Sequence, residues 1–91
     1  MPDTRYTLAL SPKFVQALKK LKRQKPDMLS LLDRVIAKIL KNPLFGKPLR
    51  NVLKNCRRVP VGSFVLMYEI NGLEIRLLDF DHHDRAYKKK Q

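Results

Sequence analysis

The residues from Arg57 to Phe80, RRVPVGSFVLMYEINGLEIRLLDF, carry the clearest signals of the fold. Gly62-Ser63 and Asn71-Gly72 interrupt its apolar runs. Glycine and asparagine tolerate the positive φ that tight hairpin turns require, so both interruptions indicate hairpins. The pattern predicts three consecutive antiparallel strands, at about Cys56–Val61, Phe64–Ile70 and Leu73–Phe80.

Two amphipathic helices are predicted upstream of these strands. Ser11-Pro12 indicates the start of the first, because serine caps a helix and proline fits its first turn. That helix should end near Lys25-Pro26, since the residue before a proline disfavours helix. The second carries an apolar stripe at helical spacing over residues 28–40 and should stop at Asn42-Pro43.

A weakly alternating segment over residues 6–10 precedes the helices and predicts a first strand. Residues 44–55 are basic, contain Gly46 and Pro48, and are interpreted as a loop. The predicted fold is α+β, a small single domain over residues 1–91. In it a two-helix hairpin packs on a mostly antiparallel sheet of about four strands, in the order β-α-α-β-β-β.

The charge of the chain predicts a polyanionic partner. Twenty lysines and arginines against eight acids give a net charge of +12. Such an excess disfavours the compact state through self-repulsion, so RNA, DNA, an acidic protein or an anionic membrane is expected to compensate it. Basic residues without any acid occupy 13–25 and 41–58, whereas five of the eight acids lie over 69–84. A surface selected for solubility is the plainer alternative.

Other bulk features favour a cytoplasmic protein. No apolar run approaches the roughly 20 residues that span a bilayer, and the N-terminus lacks a signal-peptide pattern. The single cysteine, Cys56, cannot form an internal disulfide. We expect it to be a small packing residue rather than a nucleophile.

The C-terminal residues 79–91, DFDHHDRAYKKKQ, contain both histidines of the chain. His82 and His83 follow the last predicted strand, where side chains are held rigidly beside solvent. Histidine exchanges protons near neutral pH, Arg85 can neutralise phosphate, and Tyr87 can donate a hydrogen bond or stack on a base. Such groups suit RNA cleavage through the 2′-hydroxyl, which needs a base, an acid and cations around the phosphate.

Plainer interpretations of this ending compete. The histidines could be surface residues without a role, and Tyr87 could anchor the C-terminus in the core. A metal site formed with Asp81 and Asp84 is disfavoured, because DHHD within one loop is not a usual ligand spacing.

Arg57 and Arg58 are adjacent on a predicted strand, so their side chains point to opposite faces. If Val59 and Val61 face the helices, Arg57 shares their side and Arg58 points to the open face. We therefore expect Arg58 to contact phosphate and Arg57 to be paired at a rim. Electrostatic support for RNA binding is expected from the preceding basic segment, at Lys47, Arg50 and Lys54.

These elements and motifs together resemble the RelE/ParE superfamily of type II toxins. The resemblance covers nearly the whole chain and is carried by the helix pair with Asn42-Pro43, the KPLRN loop, the hairpin strand and the terminal HHDRAY. Members often show an Arg-x-x-Val-Gly-x-aromatic-Arg-x-x-Tyr-like run, followed by a His-Arg-like pair shortly before a tyrosine. The matching positions are Arg58, Val61, Gly62, Phe64, Tyr68, His82 and Tyr87.

The resemblance implies a toxin of the RelE branch, whose members cleave mRNA in the ribosomal A site without a metal or other cofactor. It implies mRNA, the ribosome and a short acidic RelB-like antitoxin as partners. His82 or His83 would be general acid or base, Arg58 and Arg85 would stabilise the phosphorane, and Tyr87 would position the substrate. The alternatives are a ParE-like inhibitor of a protein such as DNA gyrase and an RNA-binding module without activity.

Two arginines usual in the family are absent. Val65 follows the aromatic residue of the hairpin strand, and Pro60 replaces an arginine of the preceding strand. Either Arg57, Arg58 or His83 supplies the missing phosphate contacts, or the protein is weakly active or inactive. The histidine-containing ending favours the RNase branch over the gyrase branch.

Overall fold

The computed structural model describes residues 5–49 and 55–83. These residues contain two α-helices and five strands. The strands form one sheet in the order β1-β5-β4-β3-β2, parallel between β1 and β5 and antiparallel elsewhere. The elements are β1 (Thr7–Leu10), α1 (Pro12–Gln24), α2 (Met28–Lys41), β2 (Lys47–Pro48), β3 (Cys56–Val61), β4 (Phe64–Asn71) and β5 (Glu74–His82). The α+β class is confirmed.

Capping hydrogen bonds and prolines determine where the two helices begin and end. Ser11 caps α1, since its hydroxyl accepts a hydrogen bond from the N–H of Phe14 at 3.0 Å. The same hydroxyl donates to the carbonyl of Leu78 at 2.8 Å and so ties the start of α1 to β5. Helix α2 ends before Asn42, and Pro43 starts a short 3-10 turn over Pro43–Phe45. Neither helix is long and apolar enough to cross a membrane.

Both predicted hairpins form, and the second turn lies one residue later than expected. Gly62 and Gly72 each have φ of 63°, which a residue with a side chain adopts only with strain. The turn between β4 and β5 consists of residues 72 and 73, because Asn71 remains in β4 and pairs with Glu74. Glycine therefore occupies the first turn position.

The core lies between the helix pair and one face of the sheet. Val59 and Val61 belong to it, so this is the face that β3 turns towards the helices. The buried members of the cluster are Phe14, Leu21, Leu32, Val35, Ile39, Val59, Val61, Leu66, Tyr68, Ile75, Leu77 and Phe80. Cys56 and Val65 are also buried but lie outside this cluster.

The number of strands and the end of β5 differ from the sequence-based expectation. The sheet has five strands among the described residues rather than about four, because Lys47–Pro48 of the presumed loop pairs with β3. A two-residue strand has no periodicity by which a sequence could reveal it. Strand β5 also continues to His82 rather than ending at Phe80, since His82 pairs with Phe64 across the ladder.

Candidate nucleic-acid interface

Lys47 and Arg58 lie side by side on the sheet face that points away from the helices. They are direct partners in the antiparallel pairing of β2 with β3. Directly opposed residues in such a pair have Cβ atoms about 4.5–5.5 Å apart. Because Val59 and Val61 face the core, alternation places Arg58 on the opposite face, as the sequence predicted. Lys47 is exposed and Arg58 is half-buried beside Met67 of β4.

Arg57 is held at the helix side of the sheet by backbone carbonyls. Its Nη1 donates to the carbonyl of Gly46 at 2.6 Å and to the carbonyl of Leu44 at 3.4 Å. Arg57 is therefore paired, as expected, and its partners are backbone carbonyls in and directly after the 3-10 turn. The structure does not place Arg57 beside Arg58 on a common surface.

Tyr68 fixes the same turn from within the core. Its hydroxyl donates to the carbonyl of Pro43 at 2.6 Å and accepts from the N–H of Gly46 at 2.8 Å. The side chain is fully buried. Burial raises the pKa of the Tyr68 hydroxyl, although the hydrogen bond with Gly46 and the charge of Arg57 act in the opposite direction. Tyr68 is thus a neutral hydrogen-bonding residue at pH 7.

Gly46 leaves room for this arrangement. A Cβ at this position would lie 2.7 Å from the carbonyl oxygen of Arg58 and 2.8 Å from the hydroxyl oxygen of Tyr68. The backbone of β3 and the tyrosine ring can approach only because the side chain is absent. We name the group formed by Pro43, Gly46, Arg57 and Tyr68 the tyrosine clasp.

His82 lies on the helix side of the sheet. It pairs with Phe64 on β4, and the two rings meet edge to face with centroids 5.5 Å apart. Lys25 extends over the Phe64 ring, with its Nζ 6.0 Å from the centroid. His82 therefore faces away from the Lys47–Arg58 surface, and the predicted grouping of His82 with Arg58 is not seen.

His83 follows the last residue of β5 and is exposed. Its N–H donates to the carbonyl of Ser63 at 2.9 Å, which ties the end of β5 to the β3–β4 turn.

The acids near the histidines have structural partners. The Asp79 carboxylate is buried, accepts from the N–H of Phe80 at 2.9 Å and lies 3.5 Å from the Nζ of Lys13. Asp81 accepts from the backbone N–H of His82 at 2.8 Å. In residues 5–49 and 55–83, no three His, Cys, Asp or Glu side chains are grouped as metal ligands.

Four predicted site residues and one alternative ligand lie outside the described residues. They are Arg50, Lys54, Asp84, Arg85 and Tyr87. Their roles stay predictions.

Cys56 matches its expected packing role. It is 2% exposed. Burial, and then the negative charge of neighbouring Glu69, raise the pKa of the Cys56 thiol. Both effects disfavour the thiolate, which is the nucleophilic form.

The contacts of Tyr68 and Gly46 were not predicted from the sequence. Tyr68 matches a family motif, and a tyrosine on the apolar side of a strand indicates that its hydroxyl needs a hydrogen-bond partner. Nothing in the sequence indicates that the partner lies 22 residues earlier in the chain.

Comparisons with known proteins agree with this fold. The sequence profile of the family described as "ParE toxin of type II toxin-antitoxin system, parDE" matches residues 8–87. A protein of Methanocaldococcus jannaschii named as a candidate toxin, RelE4, is 34% identical over 89 residues, which cover 94% of this chain and 95% of that protein.

Solved structures of toxin–antitoxin complexes are also similar. A chain of the RelBE2 complex of Mycobacterium tuberculosis has 27% identity and a TM-score of 0.72, covering 86% of this chain and 98% of that one. A chain of the DinJ–YafQ complex of Escherichia coli has a TM-score of 0.78 at 19% identity, covering 91% and 99%, and shows the fold alone.

The fold and these matches confirm the resemblance to the RelE/ParE superfamily of type II toxins. The chain belongs to the ParE toxin family of type II toxin–antitoxin systems.

Proposed function

We propose that this toxin stops translation by cutting mRNA on the ribosome, and that the phosphate lies against the Lys47–Arg58 surface. The supporting observation is the pairing of these two cations on the sheet face away from the helices. Cations held in place before the reaction stabilise the charge that develops on a phosphorane. A phosphate bound beside two adjacent cations would reduce the repulsion between them.

The proposed reaction transfers the phosphoryl group within the RNA. The 2′-hydroxyl gives its proton to a general base and forms a bond to phosphorus, the bond to the 5′-oxygen breaks, and a general acid protonates that oxygen. The products are a 2′,3′-cyclic phosphate and a 5′-hydroxyl. Protein side chains supply the acid, the base and the charge in this scheme, with no metal or other cofactor assigned.

Of the two histidines, we assign the acid or base to His83. His82 packs edge-on against Phe64 on the helix side, so the sheet separates it from Arg58. Arg85 and Tyr87 keep the roles that the family resemblance implies, as a phosphorane-stabilising cation and a substrate-positioning residue.

We propose an acidic RelB-like antitoxin as the partner that neutralises the toxin in the cytoplasm. The net charge of +12 supports this assignment, because opposite charge steers association. Related toxin chains occur in complexes with antitoxins, as in DinJ–YafQ and RelBE2.

A second function is inhibition of a protein target such as DNA gyrase. The match to the ParE family profile favours it. A toxin of this kind would bind its target without needing either histidine, which separates it experimentally from an RNase.

Two assays on purified protein separate these functions. In a cell-free translation reaction we expect protein synthesis to stop, whereas supercoiling by DNA gyrase should continue at an unchanged rate. The reverse result would establish the second function instead.

Matched variants locate the site. Arg58→Gln should relieve the translation block, and Arg34→Gln, which removes the same charge from an exposed position on α2, should not. His83→Gln should relieve the block more than His82→Gln. Equal effects of the two histidine variants would contradict the assignment of His83.

A further inference from the structure

We infer that Tyr68 is a positioning residue, which holds Lys47 against Arg58 by fixing the backbone of Gly46 with its hydroxyl. The inference rests on the proposed function, in which these two cations bind RNA phosphate. Tyr68 itself is fully buried and would not touch RNA.

The hydrogen bonds of the clasp converge on the residue before Lys47. The N–H of Gly46 donates to the Tyr68 hydroxyl at 2.8 Å, and the carbonyl of Gly46 accepts from Arg57 Nη1 at 2.6 Å. Both polar groups of Gly46 are thus occupied by side chains from the sheet. Because Lys47 follows directly, Tyr68 and Arg57 restrain its backbone, in addition to the β2–β3 pairing and the bond from the N–H of Leu49 to the carbonyl of Cys56 at 3.0 Å.

The tyrosine hydroxyl also anchors the other end of the turn. It donates to the carbonyl of Pro43 at 2.6 Å, so one buried oxygen atom bridges two points of the chain three residues apart. The N–H of Leu44 donates to the Asn42 side chain at 3.2 Å and restrains the segment between them. The turn that carries Lys47 is therefore fixed before any ligand binds.

Strand β2 needs this support. It consists of two residues at the edge of the sheet, and one of them, Pro48, has no N–H to donate. Its other residue, Lys47, is directly opposite a like charge, an arrangement that destabilises strand pairing. We infer that the clasp offsets both disadvantages and keeps the cation pair assembled.

The test measures how binding of a fluorescein-labelled oligouridylate depends on salt. Each phosphate contact to single-stranded RNA contributes about 0.7 to the slope of log affinity against log salt concentration. Lys47→Gln should lower the slope by about 0.7 if Lys47 contacts phosphate. Tyr68→Phe, which keeps the ring and removes the hydroxyl, should lower it by a similar amount.

The same salt dependence is measured for a double variant and for a stability control. Tyr68→Phe combined with Lys47→Gln should have the slope of Lys47→Gln alone, because both changes remove one contact. Ile75→Val, a core change away from the clasp, should lower the urea midpoint of unfolding and leave the slope unchanged. Circular dichroism would verify that each variant is folded.

The outcomes separate the inference from the function on which it rests. A reduced slope for Lys47→Gln with an unchanged slope for Tyr68→Phe would overturn the positioning role and leave the RNA site intact. Additive effects in the double variant would overturn it as well. An unchanged slope for Lys47→Gln would show that Lys47 does not contact RNA. The positioning role of Tyr68 would then be overturned as well.

Discussion

Gly46→Ala should destabilise the protein by forcing the clasp apart. The new methyl carbon would lie 2.7 Å from the carbonyl oxygen of Arg58 and 2.8 Å from the Tyr68 hydroxyl oxygen, whereas ordinary contacts begin at 3.4 Å. The backbone of β3 and the buried ring are both confined by the core, so one of them must move. The φ of Gly46 is −79°, which alanine adopts without strain.

The magnitude follows from the groups that lose their partners. If the Tyr68 hydroxyl is displaced, the N–H of Gly46 and the carbonyl of Pro43 both lose their hydrogen bond to it. A buried polar group without a partner costs about 1–3 kcal/mol. For two such groups we expect the free energy of unfolding to fall by about 2–6 kcal/mol, a large part of the total for a domain of this size.

Urea unfolding followed by circular dichroism measures this change, and Gly72→Ala is the matched control. Gly72 has no atom within 4 Å of an added Cβ but has φ of 63°, so alanine there should cost only the left-handed strain of about 1–2 kcal/mol. In a Tyr68→Phe background the cost of Gly46→Ala should shrink, since one colliding atom is gone. A smaller loss at Gly46 than at Gly72 would refute the steric argument.

Three further outcomes test the buried groups. Because the pKa of Tyr68 is raised in the folded protein, its contribution to the free energy of unfolding is fully present below the usual tyrosine pKa of about 10 and is lost as pH rises above that value. Alkaline unfolding of Tyr68→Phe, compared with wild type, measures this contribution. Cys56, whose pKa is also raised, should react with iodoacetamide at pH 8 much more slowly in the folded protein than in urea, and equal rates would show that the thiol is accessible. Phe80→Ala should lower the free energy of unfolding by about 3–5 kcal/mol in urea titration, because the buried ring stacks on Phe64 with centroids 4.9 Å apart, and a loss below about 1 kcal/mol would contradict this packing.

The helices and hairpins could be predicted because their signals are local. Ser11 and Pro12 mark the start of α1 within a few residues, and Gly62 and Gly72 mark the turns by their tolerance of positive φ. The face of Arg58 was predicted for the same reason, since alternation along β3 relates it to Val59.

The interface could be predicted only in part, because it depends on contacts between distant segments. The pairing of Lys47 with Arg58 spans 11 residues, and the clasp joins Tyr68 to Gly46 across 22. The placement of His82 depended on where β5 ends, and the apolar run stops two residues before the ladder does. The sequence alone predicts that His82 and Arg58 belong to one site, because it does not show that the two side chains lie on opposite faces of the sheet.

Primer extension on two matched messages in a translating extract tests whether the toxin cuts mRNA on the ribosome. One message carries a start codon and the other has it mutated. We expect cuts in the translated message alone, with a loss of roughly a hundredfold or more in cleavage rate for Arg58→Gln and no loss for Arg34→Gln. Cuts in both messages, or full cleavage by Arg58→Gln, would contradict it.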